Sequence, residues 1–427
     1  MLSTTWMSTY TICKTTSKQR TNTIYSPLIK STIMKSKLFL LSLVALTLAF
    51  TACNKNQDEP QQSETDATIS VAVKSADLRA YENGAGDADM KVQKLAVMVY
   101  QGEAQVAYKE ADQAGSLEVT KIQTTSGAKT LVVVANYANE NLQGLSLTKI
   151  KALTHTLSAD DQDPNKGTFM LTAEPVSVNL EKGNNYYGYA AGDGNRISVD
   201  KPIELKHIHA GMALTSVTVN FAESYAALYS VKFNKGQLIA LIAKAQSNVF
   251  GEPFANADAN YFYGVKLFGK ATNKYTPAEA NYNELAALQM DITEVGAAMT
   301  GKGFYVLENN SAEHPTILCL KGELTQANGT ALTAEQAAQA VEAGWIVSAT
   351  DHSTYYPVLV NWAKEGYSYD TGYQAKNAIE RNHKYEIALT ITGPGTNSPE
   401  DPTAEKANLD VKCKVLPWVI VKQNVVW

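Results

Sequence analysis

The pattern that most constrains this chain is a short apolar alternation that first becomes clear at residues 67–74. The run reads Ala-Thr-Ile-Ser-Val-Ala-Val-Lys, with Ile69, Val71 and Val73 on one side of a two-residue period and Ser70, Ala72 and Lys74 on the other. Successive side chains of a strand point to opposite faces, so the run is a half-buried β-strand. The next residues lead to Arg79-Ala80 and then to Glu-Asn-Gly-Ala-Gly-Asp-Ala-Asp at 82–89. That segment has no apolar period and carries two glycines, the composition of an exposed loop open to proteases. One strand therefore hangs on the rest of the chain by a cleavable tether.

Comparable runs follow. Residues 94–100 (Lys-Leu-Ala-Val-Met-Val-Tyr) are apolar on both faces, as in a central strand; 116–119 form a weaker strand and 130–137 a second buried one. Leu147, Ile150, Leu153 and Leu157 recur at helical spacing, which predicts one short helix lying on a sheet. Short strands are expected at 169–172, 176–180 and 186–189. Many short strands with a single helix indicate a β-sandwich. Residues 192–196 (Gly-Asp-Gly-Asn-Arg) have the composition of a linker, and the pattern restarts after them. Alternation at 203–209 and a strand at 212–221 are followed by runs at 304–307, 316–324, 356–360 and 384–392. Thr333 and Gln336 have capping-box spacing, so an Ala-rich helix begins there and ends near Gly344. The fold class expected is mainly β, with two tandem β-sandwiches at 80–196 and 197–427 and short helices in insertions. A loop with three prolines at 393–402 precedes two last strand-like runs, 409–415 and 418–427.

The amino-terminal part reads differently. Lys35 and Lys37 precede a thirteen-residue apolar run at 38–50, then Thr51-Ala52-Cys53. The run is too short to span a bilayer as a helix and has the layout of a secretory signal. A cysteine directly after small residues looks like a bacterial lipobox, with Cys53 as the acylated residue, although Phe50 departs from the usual Leu or Val. Residues 34–52 are then the signal peptide and 53–79 a lipidated propeptide. Met34 is the expected start, and the Ser/Thr-rich residues 1–33 an over-called upstream extension. Polar residues 54–66 suit a solvated tether.

Composition excludes several classes. Hydrophobic content of 45% and charged content of 19% are those of a folded globular protein. A net charge of −5 with no Lys/Arg cluster in the body gives nucleic acid nothing to hold. Nucleophile-elbow, phosphate-loop and His-Glu-x-x-His motifs are absent, so no catalytic residue, enzyme activity or cofactor is expected. His207 and His209 lie two apart and share a side; with no third ligand in view they read as surface or interface histidines rather than a metal site. Residues 161–167 imitate the start of a calcium loop but place Lys166 where glycine is required, which leaves a solvated turn. Cys319 and Cys413 sit in apolar runs, either as two buried thiols or as one disulfide.

From residue 94 onward the sequence resembles the fimbrillins, the major fimbrial subunits of Porphyromonas in the Bacteroidales type V pilin family. The matching stretches are 94–100, 130–136, Asn-Ala-Asp-Ala-Asn-Tyr at 256–261, His-Pro-Thr-Ile-Leu-Cys at 314–319, Glu-Arg-Asn-His-Lys-Tyr at 380–385, 389–397 and the 418–427 terminus. The resemblance implies transthyretin-like sandwiches, export as an outer-membrane lipoprotein acylated at Cys53, and maturation between Arg79 and Ala80 by an Arg-specific cysteine protease of the gingipain type. It also implies a head-to-tail homopolymer, accessory and anchor fimbrial subunits as partners, and adhesion to host extracellular proteins and other bacteria in an extracellular fimbrium and biofilm.

A mechanism follows from the residues. The strand at 67–74 is expected to plug a groove in the first sandwich through Ile69, Val71 and Val73; burying three such side chains is worth about 5–9 kcal/mol. Its removal opens an apolar trench that a neighbour's strand can fill. The expected donor is 409–427, with anchors Leu409, Val411, Cys413, Val415, Trp418, Ile420, Val425 and Trp427. The alternative is a monomeric surface lipoprotein that binds a glycan or host protein in a preformed pocket.

Overall fold

The computed structural model describes residues 65–75, 92–137, 141–163, 166, 169–251, 261–264, 282–296, 299, 302–400 and 409–417. They belong to one compact unit, Ser63–Trp427.

The first half is built from β1 (Ala67–Ser75), β2 (Leu95–Gln101), β3 (Ala104–Glu110), β4 (Glu118–Thr124), β5 (Gly127–Ala135), β6 (Thr154–Thr156), β7 (Leu171–Thr172), β8 (Val176–Leu180), β9 (Gly183–Tyr187), β10 (Asn195–Ile197) and β11 (Ile203–His207). β4, β1, β9 and β10 form one layer, while β3, β2, β5, β7, β8 and β11 form the other. Ile69, Val71, Val119 and Ile122 from the first layer pack with Val97, Val99, Leu131 and Val133 from the second. β2 and β5 are apolar on both faces because both are covered. Ala96, Met98 and Val132 point away from this core and pack with Tyr137, Leu142 and Ile150. Helix α1 (Leu147–Lys151) starts at Ser146, whose Oγ accepts from the Lys149 N–H at 3.3 Å. It stops short of the apolar period, which continues to Leu157, because Thr154–Thr156 pairs with Gln246–Asn248.

The second half contains β12 (His209–Val219), α2 (Glu223–Ala226), β13 (Tyr229–Leu241), β14 (Ala243–Lys244), β15 (Gln246–Asn248), β16 (Tyr261–Tyr263), β17 (Tyr282–Glu284), β18 (Gln289–Ile292), β19 (Lys302–Leu307), β20 (Ile317–Gln326), α3 (Ala334–Glu342), β21 (Ser353–Leu359), β22 (Tyr367–Tyr369), β23 (His383–Ile391) and β24 (Leu409–Pro417). One sheet runs β19-β12-β23-β24-β22 and the other β18-β13-β20-β21. Leu214, Ile387 and Leu389 of the first meet Leu238, Leu320 and Tyr356 of the second. The capping box forms as expected: the Gln336 N–H donates to Thr333 Oγ1 at 3.2 Å and the Thr333 N–H to Gln336 Oε1 at 3.1 Å. Gly344, at φ +74°, closes that helix. The whole is two tandem transthyretin-like β-sandwiches with short helices, and Cys319 and Cys413 are buried free thiols.

Three expectations need correction. Residues 192–196 do not separate the sandwiches: Asn195–Ile197 pairs in parallel with β9, and β11 pairs with β1 and β7, so both belong to the first sandwich. The chain changes sandwich at Ile208, between β11 and β12. Nor are His207 and His209 at a surface; both are fully buried, and Phe169 packs against both rings, at centroid distances of 6.0 and 5.1 Å. Asp161, expected in a solvated turn, is also fully buried, in the short 3₁₀ turn Asp160–Gln162.

Candidate assembly site

β1 is enclosed on both edges. Along one it runs antiparallel to β4, from Ala67 opposite Thr124 to Ala72 opposite Glu118, and the Val73 N–H continues the ladder to the Leu117 carbonyl at 2.9 Å. Along the other it runs parallel to β9, from Ala67 opposite Gly183 to Val71 opposite Tyr187, and then to β11, with Val73 opposite Ile203. A bulge between Ile69 and Val71 lets Ser70 Oγ accept from the Lys121 N–H at 3.0 Å. Ile69 and Val71 are 0% exposed and Val73 4%, all in the core of the first sandwich.

Polar contacts hold the ends of the strand. Asp66 accepts from the Ser126 N–H at 2.7 Å and from the Ser126 hydroxyl at 2.9 Å. Those bonds, the backbone one first, hold its carboxyl below the ordinary value of 3.8, helped by Lys182 at 3.7 Å. Asn185 Nδ2 donates to the Thr68 carbonyl at 3.0 Å, and at the far end Lys74 Nζ lies 2.9 Å from a Glu204 carboxylate oxygen. Cys53, Arg79 and Ala80 lie outside the described residues.

The expected donor segment divides. β24 pairs antiparallel with β23 over nine positions, from Leu409 opposite Ile391 through Val415 opposite Tyr385 to Pro417 opposite His383. Among the described residues its other edge pairs with Tyr367–Tyr369 alone. Val411 and Cys413, each 2% exposed, enter the second core. Burial pushes the Cys413 thiol up to about 12, with the Asp370 and Glu386 charges adding to it. Trp418, Ile420, Val425 and Trp427 lie outside the described residues. A separate cleft of about 460 Å³ beside β11 is lined by charges of both signs, among them Glu174, Lys201, Glu204, Lys206 and Arg381.

Two tandem sandwiches, with the first and last described strands built into their cores, define a pilin-like structural subunit. The family model described as "Major fimbrial subunit protein (FimA)" matches residues 67–207, and that of the "FimA4 pilin C-terminal domain" matches 209–418; they meet at the change of sandwich. A type-2 major fimbrium subunit from Porphyromonas gingivalis is 47% identical over 92% of this chain and 100% of its own length, and a type-4 subunit from that organism is 40% identical over the same shares. The crystal structure of a fimbrilin from Porphyromonas gingivalis W83 superposes with a TM-score of 0.75 at 39% identity, covering 84% of this chain and 99% of that one. A cell-adhesion protein from Parabacteroides distasonis, 23% identical with a TM-score of 0.61, shares the fold. The chain belongs to the major fimbrial subunit family and is a structural subunit of fimbriae at the cell surface. No helix among the described residues is long and apolar enough to cross a membrane.

Proposed function

We propose that this fimbrial subunit is exported as a lipoprotein acylated at Cys53, cut between Arg79 and Ala80 by an Arg-specific cysteine protease, and polymerised by donor-strand exchange through the β1 slot. One observation carries the proposal: the most amino-terminal described strand is paired on both edges and supplies Ile69, Val71 and Val73 to a core. Joined to its sandwich, such a strand rebinds at once after any opening. Cutting the tether removes that high effective concentration, and the strand can leave. The vacated slot exposes two unpaired ladders and an apolar floor worth about 5–9 kcal/mol to whatever strand refills it.

The donor is the 409–427 end of a second subunit. Its first part, β24, rests in its own sheet with one edge mostly open, so swinging it out exchanges one ladder for another; Trp418, Ile420, Val425 and Trp427 add their burial in the neighbour's slot. Repetition is heterologous and does not close, which makes a filament. Before the cut the lipid holds the precursor at the outer membrane; afterwards the subunit joins its own copies and the accessory and anchor subunits of the fimbrium. The assembled fibre adheres to host proteins and other bacteria.

The test is direct. Purified chain and its Arg79→Ala variant are treated with an Arg-specific protease and followed by electron microscopy and by boiling-resistant ladders on gels. Filaments from the unmodified chain alone are expected; equal filaments from the variant, or none from either, would overturn the proposal.

A further inference from the structure

A second constellation sits where the chain passes between sandwiches. His155 projects from β6, Asp161 from the following 3₁₀ turn, and His209 opens β12. Their ligand-type atoms lie within 4.8 Å of one another. His155 Nε2 is 3.1 Å from Asp161 Oδ2, and His209 Nε2 is 3.5 Å from Asp161 Oδ1. The second distance is longer than a good hydrogen bond, and His209 Nε2 and Asp161 Oδ1 are both buried without a hydrogen-bond partner. Leaving such atoms unpaired is costly, which makes the pair conspicuous.

We propose that His155, Asp161 and His209 bind a single divalent transition-metal ion, zinc fitting best, which clamps the first sandwich to the second. The donor set is two imidazoles and one carboxylate, which suits zinc and its neighbours and does not suit calcium or magnesium, whose ligands are oxygens. Tetrahedral zinc with bonds of about 2.0–2.2 Å places its ligand atoms about 3.3–3.5 Å apart. The His155–Asp161 and His209–Asp161 separations, 3.1 and 3.5 Å, are close to that spacing, and the three ligand atoms all lie within 4.8 Å of one another. An ion between the side chains takes His209 Nε2 and Asp161 Oδ1 as ligands together and so satisfies both unpaired atoms. Zinc sites with three protein ligands keep a fourth position for water, which the partly exposed rim at His155 can admit.

The surroundings fit a metal site. Asp161 Oδ2 accepts from the Ser158 N–H at 2.7 Å and from the Ser158 hydroxyl at 3.1 Å, which fixes the carboxylate from behind. His155 is held by the pairing of β6 with β15, His155 lying opposite Ser247. The Asn382 N–H donates to the His209 carbonyl at 2.7 Å. The His155 side chain, 11% exposed, gives the ion an entry path, whereas Asp161 and His209 are closed off.

The test uses the full chain, stripped with a chelator, dialysed against micromolar zinc chloride and assayed by elemental analysis. About one equivalent of zinc per chain is expected, with a thermal midpoint several degrees above that of the stripped protein. Cobalt in place of zinc reports the ligands through its visible absorption. His155→Gln, at the rim of the site, tests the site with little risk to folding, and Asp161→Asn tests the buried ligand; circular dichroism verifies the fold of each. Retention is expected to fall at least tenfold in both and to persist in a His352→Gln control. Less than a tenth of an equivalent in the unmodified chain, or equal retention in a folded His155→Gln variant, would overturn the proposal.

Discussion

β1 and β24 are the first and last described strands, and they are held differently. β1 has neighbours on both edges over most of its length and puts three anchors into its core. β24 is fully paired along one edge, to β23, but among the described residues its other edge meets only Gly366 and Tyr367–Tyr369, and two of its described side chains are core residues. A strand clamped on both edges does not leave while tethered, so its release needs a cut. One held mainly by a single edge has fewer ladder bonds to break, and the described residues before it are anchored, Thr396 exchanging two backbone hydrogen bonds with Tyr355.

The largest expected effect on this contrast is all-or-none: Arg79→Ala abolishes filaments under protease while leaving the precursor folded. Next, Ile69→Ala destabilises the uncut precursor by about 2–5 kcal/mol, because it empties a fully buried site, as urea unfolding will record. Val411→Ala costs less, about 1–3 kcal/mol. If it costs more than Ile69→Ala, β24 is the firmer strand and the contrast fails. Thiol labelling sharpens the same point: Cys413 and Cys319, both buried, resist alkylation in the precursor, and Cys413 alone becomes reactive as assembly proceeds. Protection of Cys413 at every stage would show that β24 never leaves.

Smaller effects come from the polar ends of β1. Asp66 has a folded pKa below its unfolded value of 3.8, so its contribution is fully present above that value and is lost as pH falls through the folded pKa. Asp66→Asn removes this acid-dependent loss, which unfolding midpoints measured from pH 5 downwards will detect. Lys74→Glu, breaking a half-exposed pair with Glu204, costs at most about 1 kcal/mol and less in high salt.

Local signals in the chain carried much of this architecture. The alternation of Ile69, Val71 and Val73, the two-faced apolar run of β2 and the Thr333–Gln336 cap each depend on residues a few positions apart, and each element forms where that spacing places it. The domain change was not legible because it has no linker: one residue, Ile208, separates two strands, and the Gly-rich turn that imitates a boundary leads into a parallel strand of the same layer. The histidine cluster was half visible. His209 and Asp161 each drew notice, but the contact that brings His209 to His155 and Asp161 joins positions about fifty residues apart, and no periodicity encodes it. For the propeptide cut and the terminal anchors, the sequence remains the source, since Arg79 and residues 418–427 lie outside the described residues.

The neighbours of β1 give its slot an orientation. Parallel partners on one edge and an antiparallel partner on the other accept a replacement strand in one direction only, since a reversed strand would lose its register with both. A fibre made of such joints has polarity. Under the proposed strand exchange its two tips are chemically distinct, one offering a vacant slot and the other an unused strand, which assigns growth and termination to opposite tips.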